Sequence, residues 1–294
     1  MYLEDLRWPN GPVCPHCESG DAKRLKGDKH RPGVVQCNAC RKQYTVTVGT
    51  VFERSKVPLN KWLLATHLMC ASKKGISAHQ LHRMLGITYK TAWFMAHRIR
   101  EAMKSDGGPM GGPGSDVEAD ETYYGKKPGE EKNRMGMLRK NRIVSLVDRV
   151  TGRSTSVVFN GTFNSDTLGR YLLTNVDRRS RLLTDEHQAY KRPGLEFAKH
   201  VHVAHARDEW VSEHDRTAHT NTVEGFFGIF KRGMRGVYQH CGQQHLHRYL
   251  AEFDFRYTNR SGRGIEDHER ADIALRGIAG KRLTYRRIGE LAAA

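Results

Sequence analysis

Two Cys-x-x-Cys pairs constrain this chain more than any other feature: Cys14-Pro15-His16-Cys17 and Cys37-Asn38-Ala39-Cys40, separated by 19 residues. Each pair sets two thiolates on one tight turn, and two facing turns complete a tetrahedral site. Four thiolates leave no open position for chemistry, so the predicted ion is a structural Zn²⁺ held by Cys14, Cys17, Cys37 and Cys40. An intracellular chain disfavours disulfides, and knuckle pairs suit a metal better. The Val- and Thr-rich stretches Gly33 to Gln36 and Gln43 to Val51 read as short strands, which gives a zinc ribbon over residues 1–50. His16 is not counted as a ligand, and Cys70 and Cys241 read as small buried side chains.

Residues 55–104 carry helical spacing. Leu59 to Lys73 is followed by Ser77 to Leu85, a Gly86-Ile87-Thr88 turn, and Tyr89 to Met103. Gly86 suits a tight inter-helix turn, Thr88 an N-cap, and Leu81, Leu85, Ile87, Ala92 and Ile99 a small core. The pattern predicts a helix-turn-helix module whose last helix reads double-stranded DNA through Tyr89, Lys90, His97, Arg98 and Arg100. The alternative is an ordinary three-helix packing unit with a solvated basic face.

Charge favours the DNA reading. The chain has 49 Lys and Arg against 32 Asp and Glu, a net +17, which points to a polyanionic partner. Residues 1–104 hold 18 of those cations and 7 of the anions. No run of 18 apolar residues and no signal peptide is visible, so a cytoplasmic, nucleoid-associated protein is expected.

Residues 105–114, SDGGPMGGPG, hold five Gly and two Pro and read as a flexible linker. The third module, residues 115–294, opens on VEADETYY, a strand with Glu118 and Asp120 on one face and Glu121 on the other. The basic excursion from Gly125 to Asn141 either contacts DNA or is a solvated loop. A hairpin follows over Ile143 to Phe159, then a helix at Asn164 to Val176, a strand at Arg181 to Thr184 ending in Asp185, and a strand at His200 to Ala204.

His219 to Arg232 is an amphipathic helix with an apolar stripe of Val223, Phe226, Phe227 and Phe230. Asn221, Glu224 and Lys231 lie along its margin. This order of elements describes a mixed α/β sheet with its first and fourth strands adjacent, a ribonuclease-H-like layout. Asp120 and Asp185 then converge, and the helix supplies a third group. Hard oxygen ligands suit Mg²⁺ or Mn²⁺, and two such ions serve an in-line phosphodiester displacement. Asp116, Glu118, Glu121 and Glu186 are weaker candidates, because they point to the opposite face or lie at an element end. The expected fold class is therefore multi-domain: zinc ribbon, helical helix-turn-helix module and α/β ribonuclease-H-like catalytic domain.

The order zinc ribbon, helix-turn-helix, VEADETYYG, LLTDEHQAY and HTNTVEGFFGIFKRGMRGVYQH resembles the bacterial insertion-sequence transposases with an N-terminal zinc ribbon and a DDE domain, of the ISXO2-like, Merlin-related group. The resemblance implies metal-binding roles for Asp120 and Asp185 and a phosphate-holding role for Lys231. The third metal position is filled in that family by asparagine or glutamate; this chain carries both Asn221 and Glu224, and charge favours Glu224. It also implies binding of terminal inverted repeats, strand cleavage, strand transfer and a homo-oligomer, a dimer at least. Family members commonly have a slightly longer N-terminus, so this chain is expected to begin late. Two other readings stay open: a transposase-derived DNA-binding regulator without catalysis, and a ribonuclease-H-like nuclease that cuts but does not join.

Overall fold

A computed structural model describes residues 2–105, 107–127, 140–203, 211 and 215–284, which fall into two compact units. The first holds residues 2–72, 76–104 and 266–284, and the second residues 73–75 and 105–265.

In the first unit, α1 (Tyr2–Arg7) precedes a three-stranded antiparallel sheet of β1 (Ala22–Arg24), β2 (Val35–Cys37) and β3 (Gln43–Tyr44), in that order. Val35 and Cys37 alternate inward on the central strand, where Tyr44 closes the small core. Helices α2 (Leu59–Ala71), α3 (Ala78–Leu85) and α4 (Tyr89–Ala102) follow. Ser77 and Gln80 form a reciprocal capping box at the start of α3, and Gly86 ends it in the left-handed conformation at φ 57°. Thr88 then caps α4 by accepting the Thr91 N–H at 3.2 Å. Leu81, Leu85, Ala92 and Ile99 are buried between these helices, and Ile87 is half-buried.

The second unit is built on β4 (Asp116–Lys126), β5 (Lys140–Asp148), β6 (Ser154–Phe159), β7 (Arg181–Asp185) and β8 (Lys199–Val203), in the order β6-β5-β4-β7-β8. The first three strands are antiparallel neighbours, whereas β7 runs parallel to both β4 and β8. The first and fourth strands of the unit are thus adjacent, as the order of elements predicts. Helices α5 (Ser165–Asn175) and α6 (Gln188–Gly194) cover one sheet face, with Val117, Ala119, Val144, Leu146, Leu168 and Leu172 in its core. Helix α7 (Asn221–Gly233), one turn of π-helix and α8 (Gln243–Thr258) build the core of the other. The whole apolar stripe Val223, Phe226, Phe227 and Phe230 is buried in it.

Two boundaries differ from the sequence reading. Residues 107–114 do not form a free tether. Met110 is buried and hydrogen-bonds to Asn175 and Asp177, and the Gly112 N–H donates to Ser180 Oγ at 2.8 Å. Glycine is needed here for close approach: a Cβ on Gly111 would stand 2.2 Å from Ser180 Oγ. The second difference is at the other end. Residues from Glu266 belong to the first unit, not to a module running to residue 294. Helix α9 (Asp267–Arg276) packs on α2, the Arg270 guanidinium donates to the Cys70 carbonyl at 2.9 Å, and the Lys281 ammonium to the Lys104 carbonyl at 2.7 Å. Among the described residues no helix is long and apolar enough to cross a membrane.

Candidate active site

The four knuckle cysteines converge at one end of the small sheet. No disulfide joins them, and the Cys14–Cys40 and Cys17–Cys37 sulfurs are each 3.6 Å apart. Zn–S bonds of about 2.3 Å place tetrahedral sulfurs about 3.8 Å apart, so the thiolate set fits a structural Zn²⁺. The Cys40 N–H donates to Cys37 Sγ and holds that thiol below its ordinary value.

The second cluster lies at the carboxyl ends of β4 and β7. The ladder between these strands stops at Glu118–Leu183, two residues short of Asp120 and Asp185. Beyond that point the two strands are no longer paired, and the crevice outside strand ends is where open α/β sheets place ligands. Asp120, Glu121 and Asp185 each bring a carboxylate oxygen to within 4.8 Å of the others. Oxygens around one Mg²⁺ at about 2.1 Å are about 3–4 Å apart, so a small side-chain adjustment completes the fit.

Glu121, a weaker candidate in the sequence because it points to the face opposite Asp120, lies beside Asp120 and Asp185 in the structure. The alternation is real, but both residues lie past the last β4–β7 ladder pair, and a carboxylate oxygen of each comes within 4.8 Å of the other and of Asp185. The Tyr190 hydroxyl, from the face that carries α5 and α6, donates to Glu121 Oε2 at 3.0 Å. Asp185 Oδ1 accepts the His187 N–H at 3.0 Å just before α6, which fixes its rotamer. Burial, with the charges of Asp185, Glu121 and Glu224, pushes the Asp120 carboxyl up to about 8, even though it accepts the Glu121 N–H. Glu121 is likewise raised, mainly by burial and then by Asp185.

Helix α7 supplies the other predicted groups. Glu224 is half-buried, accepts from the Thr220 hydroxyl at 2.9 Å, and lies close enough for its charge to act on Asp120. Asn221 is exposed at the first position of the helix. Lys231 is half-buried, with its ammonium 6.0 Å from the Phe227 ring centroid. Seven residues separate it from Glu224, about 10 Å along the axis, so it stands apart from the carboxylates.

The helix is set in place by a group that the sequence reading ranked low. Glu118, wholly buried on β4, accepts the Val223 N–H of α7 at 2.8 Å and the Arg149 Nε at 2.5 Å. Arg149 also donates to the carbonyls of Thr217 and His219, the segment that enters the helix. Asp116 pairs with Arg149 and Arg181. A strand carboxylate two residues before Asp120 on the same face was the available signal, but its partner Arg149 lies 31 positions away.

The DNA-contact set divides. Tyr89 is 44% exposed and Lys90 is exposed, at the N-terminal end of α4. His97, Arg98 and Arg100 are buried instead. Arg98 donates to the Glu53 carbonyl at 2.6 Å and lies over the Trp62 ring, so its cation serves the packing of the first unit. The Gly125 to Asn141 excursion falls largely on residues 128–139, outside the described residues.

Comparison with known proteins bears on both clusters. The transposase zinc-ribbon domain matches residues 1–43. The ISXO2-like transposase domain matches residues 111–258, which hold all the acidic residues above. A relative from Halobacterium salinarum, described as an uncharacterized protein in transposable element ISH50, is 27% identical over 275 residues, 86% of this chain and 88% of its own length. With the domain match spanning half of the chain and the ribbon in its expected place before it, the chain belongs to the ISXO2-like transposase family.

Proposed function

We propose that this chain binds the terminal inverted repeats of an insertion sequence, cleaves a DNA strand there and transfers the freed 3′-hydroxyl to target DNA. The observation that carries the proposal is the convergence of Asp120, Glu121 and Asp185 where two parallel strands are no longer paired. Mg²⁺ or Mn²⁺ held there supplies activation of the attacking oxygen and neutralisation of the leaving one. Asp120 and Asp185 are the principal ligands in this reading. Glu224 is preferred to Asn221 as the third, because its charge already acts on Asp120 whereas Asn221 points to solvent. Glu121, fixed by Tyr190, is a further carboxylate for the same site. Lys231, farther along α7, holds a flanking phosphate as a point charge.

The α3-turn-α4 segment serves as the helix-turn-helix, with the exposed Tyr89 and Lys90 end of α4 presented to DNA. Two element ends must be held together for transfer, so the working form is a dimer or larger.

The test is incubation of the protein with Mg²⁺ or Mn²⁺ and a labelled duplex carrying the element's own ends, beside Asp120→Asn and Asp185→Asn. Nicking at the repeat boundary and joining to target DNA, both lost in the two variants, is expected. Cutting without joining would favour a nuclease, and salt-dependent binding without any cut would favour a DNA-binding regulator.

A further inference from the structure

Arg142 stands one strand away from the acidic crevice and is held unlike the other arginines of the second unit that meet the sheet. It lies on β5 directly opposite Tyr123 of β4 and Phe159 of β6. Its guanidinium carbon is 4.1 Å from the Phe163 ring centroid and 5.2 Å from that of Tyr123, so it is seated against two aromatic rings. Arg149, Arg181 and Arg256 each have a carboxylate partner. Among the described residues, Arg142 engages in neither a hydrogen bond nor an ion pair. It is half-buried, beside a Tyr123 that is 44% exposed and within two residues, across the ladder, of Glu121. Phe163 in turn packs against Tyr190, whose hydroxyl holds Glu121.

A guanidinium held against two rings with its five donors unspent by hydrogen bonds is available to an anion, and its fork matches two oxygens of a phosphate. The Arg142 charge already acts on Glu121 without a hydrogen bond between them, and on the proposed function a second anion passes close by, because the strand whose phosphate enters the crevice must continue past it. We propose that Arg142 binds the non-bridging oxygens of a backbone phosphate flanking the scissile one, with Tyr123 and Phe163 as the walls that orient it. The assignment rests on the DNA-cleaving reading above and adds a contact on the α5–α6 side of the sheet, opposite Lys231.

The test combines two neutralisations. A duplex carrying the element end is prepared with single methylphosphonates at successive positions around the cut, and binding is measured with the wild type, Arg142→Gln and Arg142→Lys. The wild type is expected to lose several-fold in affinity at one or two positions beside the cut. Arg142→Gln should show that loss on unmodified DNA and no further loss at those positions. Arg142→Lys, which keeps the charge but not the fork, should fall between them. The salt slope of Arg142→Gln should drop by about 0.9, so its deficit shrinks roughly 3.5-fold between 50 and 200 mM salt. Equal thermal midpoints for the Gln and Lys variants separate this effect from a folding defect. Phe163→Leu, which removes one wall and leaves the cation, should weaken the same positions only. If the wild type binds and cuts the ends while Arg142→Gln keeps the full wild-type profile, the Arg142 assignment is overturned alone. If the wild type binds the ends without salt dependence and cuts nothing, the function itself is overturned.

Discussion

Replacing Glu118 by alanine should release the start of α7 from the sheet. The wild-type carboxylate is fully buried and accepts two hydrogen bonds, from Val223 N–H at 2.8 Å and from Arg149 Nε at 2.5 Å. Val223 is the third residue of α7, and Thr220 makes no side-chain cap bond, so Glu118 serves as the cap from another strand. Alanine leaves the Val223 N–H buried and unpaired, at about 1–3 kcal/mol. It also strips Arg149 of one of its two carboxylates. A broken buried pair costs about 3–5 kcal/mol, discounted here because Arg149 keeps Asp116 and the carbonyls of Thr217 and His219. The sum is about 3–4 kcal/mol, felt locally. Amide exchange of the α7 N-terminal turn, followed by mass spectrometry, should therefore quicken by at least about 100-fold. Glu118→Gln keeps the shape and one acceptor, so a smaller change, about 1–3 kcal/mol, is expected. An alanine variant with exchange within about fivefold of wild type would refute the capping argument, as would a glutamine variant as loose as the alanine one.

Metal binding should be strongly pH-dependent. Burial and the neighbouring carboxylates push the Asp120 carboxyl up to about 8 in the folded protein against about 4 in an unfolded chain, so its ionisation should destabilise the metal-free fold as pH rises through that window. Mg²⁺ must displace that proton, so calorimetry should show affinity rising up to about tenfold per pH unit below 8 and levelling above it, with Asp120→Asn flat. Chelation or Cys14→Ser should release one Zn²⁺ and unfold the ribbon, and Co²⁺ in its place should show tetrahedral thiolate absorption; octahedral spectra would count against the four-sulfur site. In the first unit, Lys90→Ala should lower the salt slope of DNA binding by about one at unchanged stability. Arg98→Ala should instead lower the thermal midpoint, by about 2–3 kcal/mol in stability, because it gives up a buried hydrogen bond and the Trp62 contact. The reverse pattern in these two variants would return the DNA-reading role to the buried half of α4.

What was legible in the sequence was local or followed from order. The zinc knuckles are fixed by spacing within single turns, and the Gly86 turn with its Thr88 cap is a matter of adjacent residues. The neighbouring positions of β4 and β7 followed from the order of elements alone. Arg98 and Arg100 were misread because a charged helix position is ordinarily solvated, and only the distant Glu53 carbonyl and Trp62 ring reveal where the Arg98 cation goes. The place of α9 was illegible for a similar reason: its partner Cys70 is 200 residues away.

Glu121 is a different kind of miss. Strand alternation correctly assigns it to the face opposite Asp120, and inside a sheet that assignment would separate the two carboxylates for good. Alternation keeps side chains apart only while a neighbouring strand fills the space between the faces. On its β7 side the β4 ladder ends at Glu118, and past it Asp120 and Glu121 each bring a carboxylate oxygen to within 4.8 Å of one on Asp185. A strand that outruns its parallel partner can thus deliver consecutive residues to one metal site, at the end where the crevice already favours ligands. The same geometry explains why Asp120 bears so raised a pKa: a second carboxylate from the adjoining position, a third from β7 and a fourth from α7 are brought to a place burial already makes costly for charge. Either a proton on Asp120 or a bound cation relieves such a gathering, so a metal entering at this end of the sheet would compete with that proton.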